Sequence, residues 1–340
     1  MKTPAAIAVM LAGLLAAGCA GSRPSDTAIA SQPPRLAPEE AVMDDGYRLP
    51  LRVWGDDRQP RALVLALHGF NDYGNAFAGL GPYLAEHRIR TYAYDQRGFG
   101  ANEQAGLWAG TTRMAADLRT VTDLVRKRHP GTPLYLLGES MGGALVMASD
   151  AAGAADGIVL VAPAVWYRDT MNPVQRLALW ISAHTVPWLE LTGEGLDIHP
   201  SDNLEMLRAF SGDPLVIKET RVDALWGNTN LMDSAASAAG RLPARTLLLY
   251  GEKDEIIPRK AFCEMMTNLP GNPKPRIVLY ARGWHMLTRD LQGERVMADI
   301  ASWFLDHESV LPSNEEASPD TARMARFCGG QAARNEHARS

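Results

Sequence analysis

Five short runs along the chain are apolar at nearly every position: Leu63–Leu67, Leu134–Leu137, Ile158–Ala162, Thr246–Tyr250 and Ile277–Tyr280. A strand wetted on one face alternates, whereas a strand covered on both faces does not. Continuous apolar runs separated by helical segments therefore predict a mostly parallel sheet with helices on both faces. Met114, Leu118, Val121 and Val125 recur at helical spacing and predict a helix behind Thr111 or Thr112 as cap. Ala144–Ala148, directly after the second run, reads as the start of a buried helix. Val296, Ile300, Trp303 and Phe304 share one face of a late amphipathic helix packed on the sheet. Nearer the start, Tyr47, Leu49, Leu51 and Val53 alternate with Arg48, Pro50 and Arg52 behind the turn signal Asp44-Asp45-Gly46. That pattern predicts a half-buried strand of an antiparallel hairpin, with the proline suiting an edge.

The ends of the chain and one interior stretch break this rhythm. Lys2 and the apolar run Ala5–Ala17 read as a signal peptide, since 13 residues are too few to span a bilayer comfortably. The run ends in Leu15-Ala16-Ala17-Gly18-Cys19, which resembles the lipobox of bacterial lipoproteins, with cleavage before Cys19 and lipid on its sulfur. An ordinary secretory cleavage near Ala17 or Ala20 is the alternative. Ala20 in place of aspartate after the cysteine implies, by the sorting habit of such lipoproteins, the periplasmic face of the outer membrane. Residues 19–38, rich in Ser, Pro and Ala, read as a flexible tether. Residues 39–165 and 241–307 form the two parts of the core, and 166–240 an inserted helical cap holding Trp166, Tyr167, Trp180, Trp188, Phe210 and Trp226. Residues 308–340 are polar and charged, and predict a disordered tail.

A chain of 340 residues can bury a sizeable core, and its net charge of −5 gives no reason to expect nucleic acid as a partner. Three cysteines are present. With Cys19 lipidated, Cys263 and Cys328 remain in an oxidising compartment, and Met324, Phe327 and Cys328 stand out in the polar tail. A disulfide between Cys263 and Cys328, pinning the tail, is the expectation.

In parallel sheets ligands bind beyond the carboxyl ends of the strands. Four runs end there in chemistry: His68-Gly69-Phe70-Asn71-Asp72, Gly138-Glu139-Ser140-Met141-Gly142-Gly143, Gly251-Glu252-Lys253-Asp254, and Ala281-Arg282-Gly283-Trp284-His285. Serine between glycines two residues away on each side, in strand-turn-helix context, is a nucleophile elbow. Ser140 is thus the candidate nucleophile and His285 the base that takes its proton. Asp254 competes with Glu252 and Glu255 as the acid; its spacing from Gly251 and the following Ile256-Ile257-Pro258 favour Asp254. His68, Asp95 and Arg97 read as structural, the last two as a pair that holds loops. His87, His129, His184, His199, His307 and His337 lack ligand spacing, and no Cys-x-x-Cys, His-x-x-x-His or Gly-x-Gly-x-x-Gly occurs, so neither metal nor cofactor is expected.

Together with Tyr94-Asp95-Gln96-Arg97-Gly98-Phe99-Gly100, these motifs resemble the lysophospholipase and monoacylglycerol lipase branch of the α/β-hydrolases, which includes serine aminopeptidase-like members. The resemblance runs from about Glu39 to Asp306 and implies the α/β-hydrolase fold, a Ser140–His285–Asp254 triad, and an oxyanion hole from the backbone N–H groups of Phe70 and Met141. It also implies a cap whose apolar face binds an acyl chain. The expectation is a serine ester hydrolase acting on single-chain lipid esters through an acyl-enzyme. A peptidase or small-ester esterase on the same triad, and a non-catalytic envelope-binding lipoprotein, are the alternatives. Oligomeric state stays open.

Overall fold

The computed structural model describes residues 32–193, 195, 197–271, 274–317 and 322–337, with side chains through Gly329. Cys19 and the leader lie outside the described residues. The strands are β1 (Arg35–Leu36), β2 (Glu40–Val42), β3 (Arg48–Trp54), β4 (Ala62–Leu67), β5 (Ile89–Tyr94), β6 (Leu134–Glu139), β7 (Gly157–Val161), β8 (Glu190–Thr192), β9 (Glu219–Arg221), β10 (Thr246–Gly251) and β11 (Arg276–Tyr280). Nine of them form one sheet in the order β1-β2-β3-β5-β4-β6-β7-β10-β11. From β5 to β11 every pairing is parallel, while β1, β2 and β3 run antiparallel.

The helices are α1 (Leu80–Glu86), α2 (Thr111–Arg128), α3 (Met141–Ala148), α4 (Ala151–Ala154), α5 (Pro173–Thr185), α6 (Leu204–Gly212), α7 (Val222–Ala238), α8 (Arg259–Met266), α9 (Gly293–Leu305) and α10 (Ala322–His337). Leu63, Leu65 and Leu67 of β4 face the core under α2, α3, α7 and α8, whereas Ala62, Val64 and Ala66 face the core under α1 and α9. Both faces are buried, so the strands carry no polar alternation. This is the α/β-hydrolase fold.

Three expectations of detail are corrected. β3 is not an edge strand, because β2 covers its other side. Pro50 is tolerated there because only its carbonyl is needed, accepting from the Asp95 N–H at 2.8 Å. The N-cap of α2 is Gly110, at φ 91°, and Thr111 is already the first helical residue. The C-terminal segment, expected to be disordered, packs on the sheet. Glu315 and Glu316 run along β11, with the Leu279 N–H donating to Glu315 O and the Ala317 N–H to Ile277 O. Buried Asp299 of α9 holds the same segment, accepting from the Ser313 N–H and the Tyr280 hydroxyl at 2.8 Å each. Met324 and Phe327 of α10 are buried, and Cys328 is joined to Cys263 of α8 by a disulfide with Cα atoms 5.7 Å apart.

The insertion after β7 has two characters. Asn172 caps α5, accepting from the Val174 N–H at 2.8 Å with Pro173 in the first turn, yet α5 buries no residue. Val174, Leu177, Trp180, Ile181 and Trp188 are all exposed, Trp188 by 62%. By contrast α7 lies along α3 and contributes Leu231, Met232 and Ala235 to the core. Among the described residues no helix is long and apolar enough to cross a membrane.

Candidate active site

Ser140 sits between β6 and α3 at φ 52° and ψ −114°. For a residue with a side chain this backbone is strained, by roughly 1–3 kcal/mol. The surrounding contacts hold it there: the Ser140 N–H donates to Val161 O, and Ser140 O accepts from Ala144 and Ala164 N–H. The flanking glycines are steric necessities. A Cβ on Gly138 would overlap the Gly142–Gly143 backbone, and one on Gly142 would overlap Leu67 O. The Met141 N–H opens α3, where the first amides of a helix have no intrahelical partner and the dipole is positive.

The loop after β4 lies against this elbow. A Cβ built on Gly69 would stand 3.4 Å from Ser140 Cβ. His68 is wholly buried, which pushes its pKa down and keeps the ring neutral. Its Nε2 accepts from the Gln96 N–H at 2.9 Å, so Nδ1 carries the proton and donates to Gly69 O at 2.8 Å. That bond fixes the peptide plane between Gly69 and Phe70, and with it the direction of the Phe70 N–H. His68 is therefore structural, as its sequence context implies. The Phe70 ring packs edge-on against Phe99 and at a tilt against Trp108. Trp108, which no sequence pattern singled out, also presses on Gly227 of α7. Asp95 and Arg97 do hold loops, but not as a pair. Asp95 binds Arg52 and the N–H groups of Gly74 and Ala101, while Arg97 binds Asp117 and Asp45.

The acid and the imidazole meet directly. His285 Nδ1 donates to Asp254 Oδ2 at 2.8 Å, with the Asp254 side chain fully buried. Asp254 Oδ1 accepts from the N–H groups of Ile256 and Ile257, which aims the second oxygen at the ring. The competing carboxylates are engaged elsewhere: Glu252 with Arg323 at 3.0 Å, Glu255 with the His199 N–H at 2.7 Å. Burial drives the His285 pKa down, and the charge and hydrogen bond of Asp254 more than reverse this, leaving it above the ordinary imidazole value. Among the described residues no hydrogen bond joins the Ser140 hydroxyl to the His285 ring; such contacts are commonly long before substrate binds.

One group went unread in the sequence. Arg289, four residues after His285, reaches Glu139 Oε1 at 2.6 Å and Asp72 Oδ2 at 2.8 Å. It joins the loop of the imidazole to the residue before Ser140 and to the loop of Phe70. Nothing in the spacing of an arginine and two distant carboxylates announces such a cluster. The same loop is tied to the cap, where Asp290 accepts from Ser201 Oγ at 2.6 Å and Met286 N–H donates to Pro200 O. Among the described residues no group of three or more His, Cys, Asp or Glu is placed to hold a metal ion.

A strained serine, a carboxylate-paired imidazole and free amides at one sheet edge are equipped for acyl transfer. The family described as Hydrolase_4: Serine aminopeptidase, S33, matches residues 58–292, more than half of the chain. The chain belongs to this family. It is a serine hydrolase. The monoacylglycerol lipase of Mycolicibacterium smegmatis is 27% identical over 270 residues, covering 77% of this chain and 94% of that protein. The human monoglyceride lipase is 26% identical over 262 residues, covering 74% and 84%. Among solved structures, monoacylglycerol lipase from Paleococcus ferrophilus aligns with a TM-score of 0.65 at 22% identity, over 76% of this chain and 99% of that one. A soluble variant of the Saccharomyces cerevisiae monoglyceride lipase, bound to a substrate analog, aligns with a TM-score of 0.65 at 20% identity, over 85% and 100%. These structural likenesses are likenesses of fold.

Proposed function

We propose that this hydrolase cleaves single-chain lipid esters, monoacylglycerols or lysophospholipids, through an acyl-enzyme. The carrying observation is the 2.8 Å contact between His285 and Asp254 on the sheet edge that also bears the strained Ser140 elbow. In this reading Ser140 Oγ attacks the ester carbonyl as His285 Nε2 takes its proton. Asp254 holds the tautomer that leaves Nε2 free and stabilises the imidazolium. The N–H groups of Phe70 and Met141 stabilise the oxyanion, each such donor being worth about 10²–10³ in rate. His285 then protonates the leaving alcohol, and water, activated by the same ring, releases the fatty acid.

The names of the relatives and the apolar surface of the cap support a lipid substrate. The family's description favours a second reading, a peptidase on the same triad. A small-ester esterase differs only in how much chain the cap admits. For localisation the reading is a lipid anchor at Cys19 in the bacterial envelope, on the periplasmic face of the outer membrane; several acyl chains hold far longer than one.

A fluorophosphonate probe is expected to label Ser140, and Ser140→Ala to fold normally without turnover. Absence of labelling would favour a binding protein instead. A panel of medium- and long-chain monoacyl esters, lysophospholipids and amino-acid arylamides separates lipase from peptidase, and faster arylamide cleavage would reverse the assignment.

A further inference from the structure

The cluster around Arg289 holds two buried carboxylates, Asp72 and Glu139, and one guanidinium whose side chain is 13% exposed, one negative charge in excess. Arg289 bridges the residue before Ser140, the loop of Phe70 and the loop of His285, and it faces the Phe210 ring of α6 at 5.6 Å. Glu139 Oε2 and Arg289 Nε are both buried without a hydrogen-bond partner. A surface ion pair would adjust to water, whereas this one acts at short range in low dielectric.

We propose that Asp72, Glu139 and Arg289 form a positioning cluster for the catalytic base, holding three loops in register and setting the field in which the His285 imidazolium forms. The proposal rests on the reading of His285 as that base. Around the ring, Asp254 acts from the acid loop, Glu139 from β6 and Arg289 from the ring's own loop, with Glu139 favouring the protonated form and Arg289 opposing it. Asp72 binds the far arm of Arg289. Of the neighbouring charges, Asp290 is bound to Ser201 and the Trp284 N–H, Asp202 of the cap accepts from the Leu291 N–H, and Glu255 pairs with His199. Glu139, one residue before Ser140 and 2.6 Å from Arg289 on the loop of His285, is thus placed to favour the imidazolium, with Arg289 to moderate it.

The two partners have opposite signs, so their removal must act in opposite directions. In the pH profile of kcat/KM on a soluble nitrophenyl ester, Glu139→Gln is expected to move the acidic limb to lower pH by about half a unit or more. Arg289→Met, leaving two buried carboxylates unopposed, moves it to higher pH. The double variant restores the single excess charge through Asp72 and returns the limb toward wild type. Arg289→Lys keeps the charge but loses the two-armed bridge, so kcat falls while the limb stays. NMR titration of the His285 imidazole without substrate must show the same shifts. That measurement separates failure of this proposal from failure of the functional reading, since it needs no turnover. Single variants that shift the limb in the same direction, or leave it in place, overturn the cluster's role. Should Arg289→Met not fold, an unmoved limb in Glu139→Gln alone does so.

Discussion

At Ser140 and His285 the proposed chemistry depends on one backbone angle and one carboxylate. The positive φ of Ser140 is held by glycines that no Cβ could replace, and the imidazole is oriented by Asp254, itself fixed by two amides. In the proposed mechanism the neutral His285 ring is the base, so activity is expected to fall as pH drops through its pKa. Asp254 raises that pKa despite burial, so the acidic limb of kcat/KM is expected above the ordinary imidazole value of about 6.5. In Asp254→Asn the burial remains and the opposing charge is gone. The limb then moves below the ordinary value, and kcat falls on the order of 10³–10⁴-fold, measured at a pH above both limbs. His68 illustrates a different role, since its ring is wholly buried and its neutral tautomer fixes a peptide plane.

Among the elements, the C-terminal segment departs most from its sequence. Its composition is that of a disordered tail, and only Met324, Phe327 and Cys328 hint at packing. Those few residues suffice because they land on prepared surfaces. Phe327 meets Tyr250 and Phe262, Cys328 meets Cys263, and Arg323 binds Glu252 and the Leu279 carbonyl. Tyr250 in turn donates to Ile257 O, next to the turn that aims Asp254. The disulfide closes a loop of 65 residues, so reduction or Cys328→Ser is expected to cost about 2–4 kcal/mol of stability. Thermal melting with and without reductant checks this, and identical curves would mean that the two sulfurs are not joined. The strands were easier to read, since a strand buried on both faces declares itself by unbroken apolarity. β5 escaped because Arg90 and Thr91 interrupt that signature, although Tyr92, Ala93 and Tyr94 are buried.

For the whole molecule, the described residues form one nine-stranded sheet with Ser140, Asp254 and His285 following the carboxyl ends of its strands, and an insertion whose α5 leaves its apolar residues exposed; residues 19–38 are the tether expected from the sequence. If the tether ends in lipid, Cys19→Ser is expected to leave the membrane fraction and to lose palmitate label, while turnover of a soluble ester stays unchanged; fractionation checks it. The α/β-hydrolase fold and the strand ends bearing Ser140, Asp254 and His285 were legible in order because those signals are local: apolar runs, glycine spacing, the residue after a strand. The contact of Asp254 with His285, which the spacing from Gly251 already favoured, the cluster of Asp72, Glu139 and Arg289, and the docking of the tail are seen only in three dimensions. Each depends on which side chains meet across gaps of tens to hundreds of residues, and a buried charge is stabilised by the partner that reaches it, whatever their separation along the chain.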